Sequence, residues 1–313
     1  MSKFAFVFPG QGSQAVAMME GFAGNPVVEQ TIAEASDALN FDLGKLMAEG
    51  PKEELDLTTN TQPVMLTAAV AAYRAWIAAG GAVPSVVAGH SLGEYSALVA
   101  AGVIDFKDAV PLVRFRAQAM QEAVPVGQGT MAVVLGLSDD DVRASCAEAA
   151  AADPSQVVEP VNFNAPAQVV IAGHTAAVEK ACEIAKAKGA KRAMKLPVSA
   201  PFHSSLLKPA SDRLRDYMAN IKFKAPQIAL INNVDVAVVN DPAGIKDALV
   251  RQAASPVRWV ETMQKVAADG IVNVIECGPG KVLMGLTKRI DASLVGDAIT
   301  DQASLERLLA SLK

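Results

Sequence analysis

Apolar residues follow two rhythms along this chain. Phe4–Phe8 is a short, unbroken apolar run closed by Pro9-Gly10, the pattern of a strand buried on both faces. Apolar positions at helical spacing fill 27–40 and 63–79. Val86–Ala88 predicts a second buried strand, and 92–101 a helix. The stretch 105–124 is also helical in pattern, with Pro111 inside it predicting a kink or a break. Strand, glycine turn and helix repeated in this way predict a parallel sheet with helices on both faces.

The middle changes character. "TMAVVLG" (130–136) reads as a strand and 138–150 as a helix, with Ser138 as its N-cap and acidic residues in its first turn. "QVVEPVNF" and "QVVIAG" read as two short strands. They are followed by a helix ending at Gly189 and a strand in "KRAMKLPVS". The order βαββαβ over about 128–198 is the ferredoxin-like pattern. The expected fold is therefore α/β: a hydrolase-like parallel-sheet large domain, 1–127 and 199–313, with an inserted ferredoxin-like subdomain, 128–198. Beyond the insert, 227–232 and 271–278 are strand-like, and helices fit 204–219, 242–253, 258–268 and 301–312.

Composition narrows the function classes. The 313 residues are 51% hydrophobic and only 19% charged, enough to bury a sizeable core. A net charge of −5 disfavours nucleic acid as the main partner. No unbroken apolar stretch is long enough for a membrane span, and the N-terminal run is too short for a signal peptide. Cys146, Cys182 and Cys277 are odd in number and widely spaced, which reads as free thiols in a reducing cytosol rather than a disulfide framework or a metal site.

The candidate chemistry starts at "GHSLG", 89–93, a G-x-S-x-G spacing between a predicted strand and a predicted helix. Such an elbow lifts the Ser91 side chain clear of the sheet, and the helix start at Leu92 offers free N–H groups to a developing oxyanion. A serine N-cap after a glycine turn is the plainer reading. A nucleophilic serine needs a base, and there are three histidines. His90 is adjacent to Ser91, and adjacent side chains diverge, so it suits a structural or supporting role. His174 sits at a strand–helix turn of the insert, where a local role fits. His203, in the proline-bounded "LPVSAPFHSSLL", is the best partner for Ser91. No acidic residue between Ser91 and His203 occupies an evident strand-end loop, which weakens the simple hydrolase reading; a dyad with the imidazole held by a main-chain carbonyl would serve instead. The early loop "FPGQGSQ" follows a strand but lacks the lysine and the third glycine of phosphate loops. A backbone donor aimed at Ser91 and a plain tight turn both remain open for it.

Taken together, "FPGQGSQ", "GHSLGEYSAL", "RAQAMQEAVP", "NFNAPAQVVIAG", "SAPFHS" and "ECGPGKVL" resemble the signature segments of the malonyl-CoA:acyl-carrier-protein transacylase family, in the same order. The resemblance implies that Ser91 carries the malonyl ester and that His203 is base and then acid. It places the Gln252 carbonyl, in "LVRQAASPVRW", on the imidazole. Gln11 and Leu92 would supply the oxyanion N–H groups, Arg116 would grip the malonyl carboxylate, and His90 would line the substrate site. In related polyketide acyltransferases a bulky aromatic at the position of Phe202 goes with malonyl. The implied partners are malonyl-CoA and acyl carrier protein, in the cytoplasm, with no metal, cofactor, nucleic acid or membrane. A discrete polyketide-pathway acyltransferase shares every one of these motifs, and an acyl-CoA thioester hydrolase is the more distant alternative.

Overall fold

The apolar run near the start becomes the middle strand of a parallel sheet. In a computed structural model, which describes residues 3–198 and 200–312, the strands in chain order are β1 (Phe4–Phe8), β2 (Val86–Gly89), β3 (Gly129–Leu135), β4 (Val158–Ala165), β5 (Gln168–His174), β6 (Arg192–Lys195), β7 (Ala229–Ile231), β8 (Asn273–Cys277) and β9 (Val295–Ile299). The larger sheet runs β7-β2-β1-β8-β9, with every pair parallel. Parallel neighbours need crossover connections, and helices supply them. Side chains alternate along β1. Phe4, Phe6 and Phe8 pack on one face, where Phe6 meets Trp76 and Tyr73 of helix Thr58–Ala78 edge-on at 5.5 and 6.1 Å. Ala5 and Val7 pack on the other, among Trp259, Met263 and Leu286. Both faces of the sheet are therefore buried, which is why β1 reads as a continuous apolar run.

The smaller sheet runs β4-β5-β3-β6, with every pair antiparallel. With helices Asp139–Ala152 and Thr175–Ala187 it follows the βαββαβ order. Val134, Ile171, Val178 and Ala181 share its own apolar cluster. Ser138 caps the first of these helices, its hydroxyl accepting from the Asp141 N–H at 3.1 Å.

Several expectations are corrected. Of the kink or break expected at Pro111, the break does not occur: the helix runs continuously over Phe106–Glu122. A proline in the second turn removes one hydrogen bond, and burial of Phe106, Val110, Val113 and Ala117 outweighs that loss. Helix Thr58–Ala78 likewise starts ahead of Pro63 and runs through it. The stretch 204–219 divides into a 3-10 turn, Ser205–Leu207, and helix Lys208–Met218. β6 stops at Lys195, short of Pro197, and Ser199 at the end of that expected strand lies outside the described residues. Helices Leu43–Glu49, Lys52–Leu55 and Val282–Ile290 and strand β9 are additional. Among the described residues no helix is long and apolar enough to cross a membrane, and all three cysteines are free and buried.

Candidate active site

The C-terminal ends of β1, β2 and β7 lie side by side, and the loops that follow them build one site, as expected of a parallel sheet. Ser91 sits in the turn from β2 into helix Gly93–Ala100 with φ +52, a left-handed conformation that costs a serine about 1–3 kcal/mol. The turn is possible because its flanks are glycines. A Cβ on Gly93 would strike the Phe8 carbonyl, and one on Gly89 would strike the Gly93 backbone. Asn233, just past β7, braces the turn from the side. Its Oδ1 accepts from the Ser91 N–H at 2.8 Å and its Nδ2 donates to the Gly89 carbonyl at 2.6 Å.

His203 reaches this serine from the loop beyond the small sheet. Its Nε2 lies 2.6 Å from Ser91 Oγ, and its Nδ1 lies 2.9 Å from the Gln252 carbonyl. A carbonyl only accepts, so Nδ1 carries the proton and Nε2 is free to take one from the hydroxyl. His203 also has positive φ, +65, so both members of the pair are held in sparsely populated backbone conformations. Burial, then the Arg116 charge and the nearby His90 ring, push His203 down to about 3, against the Gln252 carbonyl bond that favours its cation. The imidazole is thus neutral near pH 7. No carboxylate touches it among the described residues.

Arg116 projects from helix Phe106–Glu122 and is 1% exposed. Its Nη1 donates to Gln62 Oε1 at 2.9 Å, and its Nη2 donates to Gln252 Oε1 at 2.9 Å and to Ser91 Oγ at 3.2 Å. The Tyr95 ring lies 5.3 Å away. All of these partners are neutral, so burial lowers the Arg116 pKa. A buried guanidinium with no carboxylate in contact is poised for an anionic ligand.

A cleft of about 460 Å³ opens over these groups. Gln11 and Leu92 line it from the loops after β1 and β2. Neither of their main-chain N–H groups has a hydrogen-bond partner among the described residues. Phe202 and Met131 line it from the side of the small sheet, and Phe202 is nearly buried. His90 lines it as well, but its Nε2 is engaged with Asn164 Oδ1 at 2.7 Å, and its ring leans on Trp259. His174 is remote and local, its Nδ1 accepting from the Val157 N–H. Sequence reasoning passed over Gln62, Glu94, Asn164 and Asn233, which hold the named residues in place. Among the described residues no three His, Cys, Asp or Glu side chains gather as metal ligands do.

A parallel α/β sheet with a serine–histidine pair at its strand ends, joined to a ferredoxin-like sheet, is the arrangement of an acyltransferase. The family described as acyl transferase domain matches residues 5–312, and the chain belongs to it and, within it, to the malonyl CoA-acyl carrier protein transacylases. The malonyl CoA-acyl carrier protein transacylase of Salmonella typhimurium is 54% identical over 310 residues, 99% of each chain. That of Bacillus subtilis is 43% identical over 314 residues, covering 100% of this chain and 98% of that one. Among solved structures, the acyl-carrier-protein S-malonyltransferase of Burkholderia pseudomallei is 71% identical, with a TM-score of 0.96 over 98% of this chain and 99% of that one. A malonyl-transacylase in complex with its type II polyketide acyl-carrier protein is 52% identical, with a TM-score of 0.97 over 99% and 100%.

Proposed function

We propose that this acyltransferase moves the malonyl group from malonyl-CoA to the phosphopantetheine thiol of acyl carrier protein, in the cytoplasm, through a malonyl ester on Ser91. The observation that carries this reading is Arg116: a buried guanidinium, bonded only to neutral groups, one hydrogen bond from the Ser91 hydroxyl. It is placed to hold a carboxylate beside the reacting carbonyl.

In the first half-reaction Ser91 Oγ attacks the thioester carbonyl, and its proton passes to His203 Nε2. The oxygen that becomes negative accepts from the Gln11 and Leu92 N–H groups, one from each loop. Collapse breaks the C–S bond, and His203 returns its proton to the departing coenzyme A sulfur. An imidazolium formed in so buried a place is a strong acid, which favours that return. In the second half-reaction the carrier thiol gives its proton to His203 and attacks the ester, which frees Ser91. Gln252 holds His203 by its carbonyl, and Phe202 fills the cleft wall beside the acyl α-carbon. His90 supports the wall through Asn164. In this reading 1–127 and 199–313 form the catalytic unit, and 128–198 is a subdomain that closes one side of the cleft.

The test is the intact mass of the protein after incubation with malonyl-CoA. One malonyl adduct is expected on the wild type and none on Ser91→Ala. Turnover should fall by about 10⁴–10⁶ in Ser91→Ala and by a comparable factor in His203→Ala. An adduct that persists in Ser91→Ala would place the nucleophile elsewhere. The similarity to a transacylase bound to a polyketide carrier keeps a second reading, service to a polyketide carrier. Rates measured with a fatty-acid carrier and a polyketide carrier side by side distinguish the two.

A further inference from the structure

Glu94 is a buried carboxylate, 2% exposed, that the reaction above does not use. It lies on the first turn of the helix that follows Ser91. Its Oε2 accepts two hydrogen bonds, from Gln252 Nε2 at 2.9 Å and from the Asn233 N–H at 3.1 Å. We propose that Glu94 is a positioning residue that fixes the Gln252 side-chain amide with its oxygen toward Arg116, and so sets the guanidinium for the acyl carboxylate. The proposal rests on the reading of Arg116 given above.

Each end of the Gln252 amide faces a different kind of neighbour. The two ends of a glutamine amide have nearly the same size and opposite hydrogen-bonding character. Gln252 uses both. Its Oε1 accepts from Arg116 Nη2, and its Nε2 donates to the Ser91 carbonyl at 3.0 Å as well as to Glu94. Arg116 has only donors, and an ionised Glu94 has only acceptors. One side of the amide must therefore be oxygen and the other nitrogen. A flip would set the amide NH₂ against the guanidinium and its oxygen against two acceptors. With Glu94 removed, one of the two acceptors that hold Nε2 is lost, and only the Ser91 carbonyl and the guanidinium itself would oppose that flip. Burial raises the Glu94 pKa to about 7, against the Gln252 and Asn233 hydrogen bonds and the Arg116 charge that favour its anion, and the carboxyl makes no contact with the guanidinium. The face toward Ser91 stays free of any carboxylate. The His203 contact is of a different kind. It uses the main-chain carbonyl of Gln252, which a side-chain flip leaves in place.

This separation makes the role testable. Glu94→Gln can still present one oxygen to both donors, Glu94→Asp withdraws that oxygen by one methylene, and Glu94→Ala removes it. Each variant is examined by single-turnover acylation with malonyl-CoA, by labelling of Ser91 with a neutral fluorophosphonate, and by thermal unfolding. In Glu94→Ala the malonyl-CoA concentration that half-saturates acylation should rise about tenfold or more, while fluorophosphonate labelling stays within about threefold of wild type. Glu94→Gln should restore the half-saturating concentration to within about threefold of wild type. If Glu94→Ala does not fold, Glu94→Asp should show the same split between malonyl-CoA and the neutral reagent. An unchanged half-saturating concentration in Glu94→Ala, or an equal loss with both reagents, overturns the positioning role. A wild-type enzyme that acylates equally well with acetyl-CoA and malonyl-CoA would instead overturn the reading of Arg116 on which it rests.

Discussion

The Ser91 hydroxyl lies within hydrogen-bond distance of both His203 and Arg116, and the closeness of that cation to the imidazole bears on acid–base behaviour. Burial is the larger cause of the lowered His203 pKa, and the Arg116 charge is the next. Because the imidazole is neutral down to about pH 3, acylation with an uncharged acyl group, as from acetyl-N-acetylcysteamine, should keep its rate constant well below pH 6.5, the ordinary histidine value. Removing the cation removes one of the causes, so the acid limb of that profile should move toward higher pH in Arg116→Ala. A limb at the ordinary histidine value in the wild type, or one that does not move in the variant, would count against this account of the base. The acyl choice follows from the same residues. Arg116→Ala leaves a malonyl carboxylate buried without a partner and should cost malonyl transfer about 3–5 kcal/mol, with far less effect on acetyl. Phe202→Ser opens the wall by more than a methyl group and should narrow a malonyl-over-methylmalonyl preference of roughly 10–200-fold. Competition between the two thioesters on each variant measures both effects.

At the scale of elements, charge appears where helices begin. Glu276, at the end of β8, is fully buried and accepts from the Met284 N–H at 2.8 Å, at the start of helix Val282–Ile290. It joins strand to helix as a carboxylate against free N–H groups. Burial nonetheless raises its pKa to about 7, and those N–H bonds only partly oppose the shift. Between about 4.5 and 7 the folded chain keeps a proton on Glu276 that the unfolded chain has released. This contribution to stability is complete below about pH 4.5 and is lost as pH rises through 7. The stability of Glu276→Gln relative to wild type should therefore improve by about 1–3 kcal/mol between pH 5 and pH 8, read from urea unfolding at each pH. A difference that stays constant over that range would show that the carboxyl is ionised throughout.

The same elements show what was legible in the sequence. β1 and β2 stood out because burial on both faces leaves an unbroken apolar run, and Ser91 stood out because a sharp turn needs Gly89 and Gly93 beside it. The βαββαβ order was legible because each of its elements carries its own periodicity. β9 was not, since "VGDAI" is a half-exposed edge strand with a glycine and an aspartate in it. Helix Val282–Ile290 follows a glycine-rich turn and contains Gly285, which weakens its local signal. Glu94, Gln62 and Asn233 act through contacts 54 to 158 residues apart in sequence, and spacing along a chain carries no trace of such pairs. Asn233 did leave a signal. It follows a parallel strand at the end where sites form, by the rule that pointed to Ser91.

The whole molecule sets a problem of encounter. The chain carries −5 overall, and carrier proteins of this class are themselves typically acidic, so approach must depend on local rather than net charge. The small sheet offers a basic edge. Lys186, Lys191 and Arg192 are exposed there, and none of them has a carboxylate within ion-pair distance among the described residues. Lys188 and Lys195 in the same region are already paired, with Glu148 and Glu179. A few residues further along the chain, Leu196, Pro197 and Val198 line the active-site cleft. An acidic carrier docked on this edge would thus lie beside the opening of the cleft that its pantetheine arm would enter. Surface charges separated by solvent are screened at a Debye length of about 10 Å in 0.1 M salt. The kcat/KM for carrier protein should therefore fall about tenfold or more between 0.02 and 0.5 M salt. Charge reversal at Lys186, Lys191 and Arg192 together should produce a similar loss at low salt and remove most of the salt dependence. Acylation of Ser91 by malonyl-N-acetylcysteamine, whose thiol handle is uncharged, should be unaffected by either change, because it meets only the cleft. A carrier rate constant that is flat in salt, or an equal loss with the small thioester, would move the docking surface off this edge.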